Sequence, residues 1–172
     1  MTQKAVNNAK VLYRLNVLRS DVEEAHKIFT KAPFLLETLT NPVVSEEAKE
    51  AVLDKIVRQS GLTDLLGNFM KMMCRIGEIG QITDIFNCYY KYWDERNHIL
   101  HAEVIYVDEE TKKEKASILK QLESIYPKEE IVLSEKTDAS LLGGYVVHVG
   151  YEEYDHSYEG KLRRLERKLT GR

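Results

Sequence analysis

The sequence predicts a mainly α-helical protein, with an N-terminal antiparallel six-helix bundle over residues 1–100 and a small α/β domain over 101–172. Three observations carry that expectation. Apolar residues recur at three- and four-residue steps from residue 3 to about 97, the period of helices with one buried face. After residue 101 the texture changes to short alternating, β-branched runs around one charged helix. The length, 172 residues at 43% hydrophobic and 31% charged, suits one large domain or two small ones and is too apolar for a disordered chain.

The first helix is expected over 3–18, with Val6, Ala9, Leu12 and Tyr13 on its apolar face. Ser20 and Asp21 are capping residues, so a second helix should run from 21 to 31, where Ala32-Pro33 interrupts it. Pro33 can open a short third helix through Leu39, closed by Asn41-Pro42 because the residue before proline avoids the α region. Ser45, followed by Glu46 and Glu47, starts the fourth helix with a cap and acidic residues that suit the helix dipole; it ends at Gly61. Thr63-Asp64 restarts the chain, and Leu66, Phe69, Met70, Met73 and Ile76 form a broad apolar stripe ending at Gly77. Ile82, Ile85, Phe86, Tyr89 and Trp93 make the sixth helix, fading near Asn97. Short connections between six helices imply antiparallel neighbours.

In the back third, 101–107 and 130–136 read as strands on either side of a helix from Lys112 to Ile125. Gly143-Gly144 precedes a strand at 145–150, Tyr151 to Asp155 returns as a hairpin partner, and a last helix covers 157–169.

Charge excludes more than it assigns. Lys plus Arg (25) against Asp plus Glu (28) gives −3, so no global field draws the chain to nucleic acid or anionic lipid. The basic segment 161–169 is explained by the preference for cations at a helix C-terminus, and no nucleic acid is expected as a partner. No apolar run approaches the roughly 18 residues of a membrane span, and the opening Met1-Thr2-Gln3-Lys4 does not lead into a secretory core, so a cytoplasmic protein without direct membrane insertion is expected. Cys74 and Cys88 lie in apolar-periodic stretches and read as small buried hydrophobes.

Constellations for catalysis fail on spacing. Glu23 to His26 and Glu95 to His98 have the Glu-x-x-His step of di-iron carboxylate bundles, the alternative enzyme reading. One pair falls in the first turn of its helix and the other at a fraying end, whereas such ligands must meet at one depth. His101-Ala102-Glu103 lacks the Pro-Cys-x-x-Cys of a zinc deaminase. The consecutive Asp155-His156-Ser157 cannot converge as a triad and is expected to be a turn with Ser157 as a helix N-cap. Gly143-Gly144 lacks the remainder of a phosphate loop. No catalytic, metal or cofactor site is expected.

The run Asp138-Ala139-Ser140-Leu141-Leu142-Gly143-Gly144-Tyr145-Val146-Val147-His148-Val149-Gly150, then Asp155-His156-Ser157 and Gly160-Lys161-Leu162-Arg163-Arg164-Leu165, resembles the C-terminal motif of the delta subunit of F-type ATP synthases, the counterpart of the mitochondrial oligomycin-sensitivity-conferring protein. Ala9-Lys10-Val11-Leu12-Tyr13, Leu39-Thr40-Asn41-Pro42 and Asn68-Phe69-Met70-Lys71-Met72-Met73 are similar to the family's front motifs, in the same order. The chain departs from the pattern at Asn8, where the family often has Tyr, at Glu78, where it often has Arg, and at Glu159, where it usually has Arg.

The resemblance implies a non-catalytic stator subunit that links the catalytic head to the peripheral stalk, so that rotation is coupled to ATP synthesis and proton transport. It would sit peripherally on the cytoplasmic face of a bacterial plasma membrane. Carried over by position, the N-terminal helix of an alpha subunit would dock in a groove lined by Ala9, Leu12 and Tyr13 on one side and Phe69, Met72, Met73 and Ile76 on the other. The b subunits of the stalk would meet the unit that contains Leu142, Gly143, Gly144, Tyr145, Leu162 and Leu165. On that placement, Met73→Asp would put a charge in the groove and weaken binding of the alpha peptide.

Overall fold

The computed structural model describes residues 2–107 and 115–170. It is mainly helical with a small C-terminal four-stranded sheet, and the chain divides into two compact units, Met1–Trp93 and Asp94–Arg172.

The first unit is built from α1 (Gln3–Arg14), α2 (Arg19–Lys31), α3 (Pro33–Thr40), α4 (Glu46–Ser60), α5 (Asp64–Arg75), a 3-10 turn at Ile79–Gln81 and most of α6 (Ile82–Arg96). Local chemistry sets several ends as expected. Ser45 Oγ accepts from the Ala48 N–H at 3.3 Å, Pro33 opens α3, and Gly61 closes α4 at φ 65°. Gly77, at φ 72°, lets the Glu78 N–H turn back to the Met73 carbonyl at 2.9 Å.

Two boundaries differ from the sequence reading. α1 stops at Arg14 instead of Leu18, because Asn16 takes φ 53° and turns the chain out of the helix. α2 then starts at Arg19, and Ser20 and Asp21 fall inside its first turn instead of capping it. Asp21 is used elsewhere: its Oδ2 accepts from the Thr63 N–H at 3.2 Å, which ties α2 to the start of α5.

The core of this unit gathers Ala5, Ala9 and Leu12 of α1, Val22, Ala25 and Phe29 of α2, Leu53 and Val57 of α4, Leu66, Phe69, Met70 and Met73 of α5, and Ile82, Ile85, Phe86 and Tyr89 of α6. Tyr89 buries its ring there and donates its hydroxyl to the Val17 carbonyl at 2.8 Å, so the polar end of a large apolar residue is satisfied.

The second unit holds the sheet, in the order β2-β1-β3-β4: β1 (Ile99–Tyr106), β2 (Glu130–Thr137), β3 (Tyr145–Val149) and β4 (Glu152–Asp155). β1 and β2 are parallel and are joined through α7 (Lys115–Ile125); the other pairs are antiparallel. The expected start of α7 at Lys112 lies outside the described residues. Alternation puts Ala102, Val104 and Tyr106 of β1 on one face with Tyr145, Val147 and Val149 of β3, where Ile118 and Leu122 of α7 cover them. The chain ends in α8 (Tyr158–Thr170).

Candidate functional site

The two Glu-x-x-His steps serve other purposes: Glu23 pairs with Arg19 at 3.0 Å, His26 stacks on Tyr90 with ring centroids 5.7 Å apart, and His98 sits at φ 55° with Glu129 3.5 Å away. Among the described residues no group of three His, Cys, Asp or Glu side chains is placed to hold a metal ion. Burial pushes the thiols of Cys74 and Cys88 above their ordinary value, which leaves them less reactive. What remains are two apolar surfaces.

The first lies on α1 and α5. Of the residues expected to line a groove there, Ala9, Leu12, Phe69 and Met73 are buried in the core, and Tyr13 is half-buried with its ring edge-on to Tyr92 at 5.1 Å. Met72 and Ile76 are 43% and 54% exposed. The buried four therefore support the surface from beneath, and the exposed pair belongs to it. Three further apolar residues that the sequence reading did not single out are also exposed: Val11 of α1, Leu15 just past its end, and Leu65 of α5. The helical period puts Lys4, Asn8, Val11 and Leu15 on one face of α1, and Leu65, Met72 and Ile76 on one face of α5.

A polar clasp joins these faces at one end. Glu78, just past α5, receives Lys4 Nζ at 2.9 Å and Asn8 Nδ2 at 2.8 Å, and these two donors hold its carboxyl below the ordinary glutamate value. Two of the positions that depart from the family pattern, Asn8 and Glu78, are thus partners. The start of α1 is thereby fastened beside the turn that follows α5.

The second surface is carried by α8. Gly143 and Gly144, expected among the stalk-facing residues, support it from within. Tyr158 lies against Gly143, its N–H donating to the Gly143 carbonyl at 2.9 Å, and a Cβ on Gly143 would run into the Tyr158 ring. Tyr145 is buried and stacks on His156 at 5.0 Å. Asp155 Oδ1 accepts from the Ser157 N–H at 2.8 Å and from Ser157 Oγ at 2.6 Å, while Ser157 Oγ accepts from the Gly160 N–H at 3.0 Å as the N-cap of α8. A Cβ at Gly160 would collide with the Asp155 carboxylate. Arg164 closes the turn with a 2.8 Å bond to the Asp155 carbonyl. Leu142, Leu162 and Leu165 lie outward, 74%, 61% and 56% exposed.

This turn has a pH signature. The Ser157 contacts, chiefly the side-chain hydrogen bond, hold the Asp155 carboxyl below its ordinary value of 3.8. A depressed carboxylate adds stability that is fully present above the unfolded value and is lost as pH falls through the folded one. In an acid titration followed by circular dichroism, this part of the stability should be intact at neutral pH and vanish below the ordinary aspartate range. Ser157→Ala should remove it, so the stability difference between variant and wild type shrinks as the solution is acidified.

Two outward apolar surfaces, each over buried supports, are what the described residues offer to a partner chain. Comparison with known proteins supplies the family. The chain belongs to the ATP synthase delta (OSCP) subunit family, whose sequence model matches residues 5–169. Relatives include "ATP synthase subunit delta" of Prochlorococcus marinus strain MIT 9301, 30% identical over 85% of this chain and 81% of the relative. The subunit of the same name from Microcystis aeruginosa is 28% identical over 88% and 83%. Among solved structures, a chain of the Toxoplasma gondii mitochondrial ATP synthase hexamer has the same fold, with a TM-score of 0.64 at 15% identity over 99% of this chain and 98% of that one. The family is a structural subunit of the ATP synthase and part of the stator that links to the catalytic head. No helix among the described residues is long and apolar enough to cross a membrane.

Proposed function

We propose that this chain is the joint between the head and the peripheral stalk, with one partner for each unit. Residues 1–100, read as an antiparallel six-helix bundle, would hold the N-terminal helix of an alpha subunit along the face of α1 and α5. Residues 101–172 would hold the b subunits at α8 and the exposed Leu142 beside the glycine turn. The joint is not itself an enzyme, takes no cofactor and binds no nucleic acid. It works peripherally at the cytoplasmic face of a bacterial plasma membrane.

The observation that carries this reading is the exposure of Val11, Leu15, Leu65, Met72 and Ile76 along α1 and α5 and just past their ends, two helices tied to each other through Glu78. An amphipathic helix laid between them buries its own apolar face and theirs, the helix-in-groove mode of recognition. Torque on a joint with no covalent link is resisted by buried apolar area, and two separated interfaces raise each other's effective concentration.

The test is a tagged pull-down from gently solubilised membranes, with co-purifying chains identified by mass. Recovery of head and stalk subunits, with about one copy of this chain per complex, is the expected result. Recovery of the chain alone, from a preparation in which the synthase stays assembled, would overturn the reading.

A further inference from the structure

Beyond its first turn α8 buries no side chain: positions 161–170 are all exposed, with Arg164 reaching back to the Asp155 carbonyl. A helix of 13 residues is marginal by itself in water. Its apolar residues are nevertheless arranged for packing. Tyr158, Leu162, Leu165 and Leu169 are separated by steps of four, three and four, the alternating d and a positions of a coiled-coil heptad, and are 56%, 61%, 56% and 86% exposed. Tyr158 rests one side of its ring against Gly143, while Gly160, buried against Asp155, lies on the opposite side of the helix, so the seam from Leu162 onward faces away from its own domain.

The flanks of the seam carry opposite charges. The g positions, each one residue before an a position, are Lys161 and Lys168, with Arg164 on the same side. The e positions, each one residue after a d position, are Glu159 and Glu166, with Arg163 paired to Glu159. Coiled coils use such flanking charges to choose partner and direction.

We infer that α8 is a two-heptad coiled-coil seam that receives a stalk helix with acidic residues on the edge facing Lys161 and Lys168 and basic residues on the edge facing Glu159 and Glu166. The inference rests on the proposed docking of the stalk to this unit and adds the chemistry of the docking helix. A partner whose two edges differ in charge fits in one direction only, because reversal brings like charges together along both flanks. A second copy of α8 is the weaker occupant. Its charges match only in parallel alignment, and two heptads of self-pairing fall short of what an independent coiled coil needs.

The test uses the full chain and, as probe, the soluble segment of the b subunits from the same synthase, titrated at low and high salt. Leu165→Asp should abolish binding. The Lys161→Glu, Lys168→Glu double variant should weaken it about tenfold at about 50 mM salt, with the difference closing near 0.5 M. Reversing the facing acids of the probe to lysine should restore binding. All three positions are exposed, and circular dichroism checks that the variants fold.

If the double variant binds like wild type while Leu165→Asp does not bind, the charged seam is overturned and stalk docking stands. Unchanged binding by both variants would overturn the seam and move the stalk elsewhere on the unit. A wild-type chain that ignores the probe would defeat both readings. Sedimentation as a dimer that Leu165→Asp dissolves would overturn the inference in favour of a second copy.

Discussion

Gly144→Ala should unfold the C-terminal unit, or leave it less stable by at least about 3 kcal/mol. The residue stands at φ 82°, where an L side chain is already strained, and its added Cβ would lie 2.5 Å from the His156 carbonyl oxygen and 3.0 Å from Ser157 Cα. Both obstacles are backbone. They cannot retreat without breaking the 2.9 Å bond from the His156 N–H to the Tyr145 carbonyl, which pins the start of β3 to the turn before α8. Gly61→Ala is the internal control: φ is also positive, at 65°, but nothing lies within 4 Å of the added atom, so a loss of about 1 kcal/mol is expected. Hydrogen exchange resolved by segment separates the two outcomes. Gly144→Ala should deprotect β1 and β3 and leave α4 protected, and equal effects of the two variants would show that the close approach is unimportant.

The second large effect concerns two neighbouring residues of α5. Met73 is completely buried in the first unit's core, so Met73→Asp forces a carboxylate into apolar surroundings and should cost several kcal/mol, enough to unfold the bundle. It therefore cannot report on a groove. Ile76, 54% exposed on the same helix, can. Ile76→Asp should change stability by no more than about 0.5 kcal/mol and weaken binding of a synthetic alpha-subunit N-terminal helix by about 2 kcal/mol. Urea denaturation measures the first quantity and calorimetric titration the second. A stable Met73→Asp chain would overturn the burial of Met73, and an Ile76→Asp chain with full affinity would remove α1 and α5 as the docking face.

The contrast between these residues shows where sequence reading stops. Features decided within one turn of chain were legible: the Ser45 cap, Pro33 at the start of α3, Gly61 and Gly77 after their helices, and Ser157 before α8. The leucines of α8 were legible as one arc on an otherwise charged helix, but not that this arc points outward. α5 is different. Leu65, Leu66, Phe69, Met70, Met72, Met73 and Ile76 form one unbroken arc of nearly half the circumference, so periodicity cannot say which part of it meets the core and which meets water. Gly143 and Gly144 were legible as the entrance to a strand, but not the Tyr158 ring and the His156–Ser157 backbone that crowd them. Asn16 gave little warning of its left-handed turn, and the clasp of Lys4 and Asn8 on Glu78 joins positions some 70 residues apart in sequence. No local rule reaches that far.

The place of β1 has a mechanical consequence. It is hydrogen-bonded on both sides, to β2 in a parallel ladder from Ile99 to Tyr106 and to β3 in an antiparallel one from Ala102 to Tyr106, and it follows α6 after only Asn97 and His98. A pull along α6 therefore enters the sheet at an interior strand. Force directed along β1 itself must break both ladders together, with the bonds loaded side by side in shear instead of opened one after another from an edge. The covalent link between the two units is anchored where the sheet is hardest to unzip.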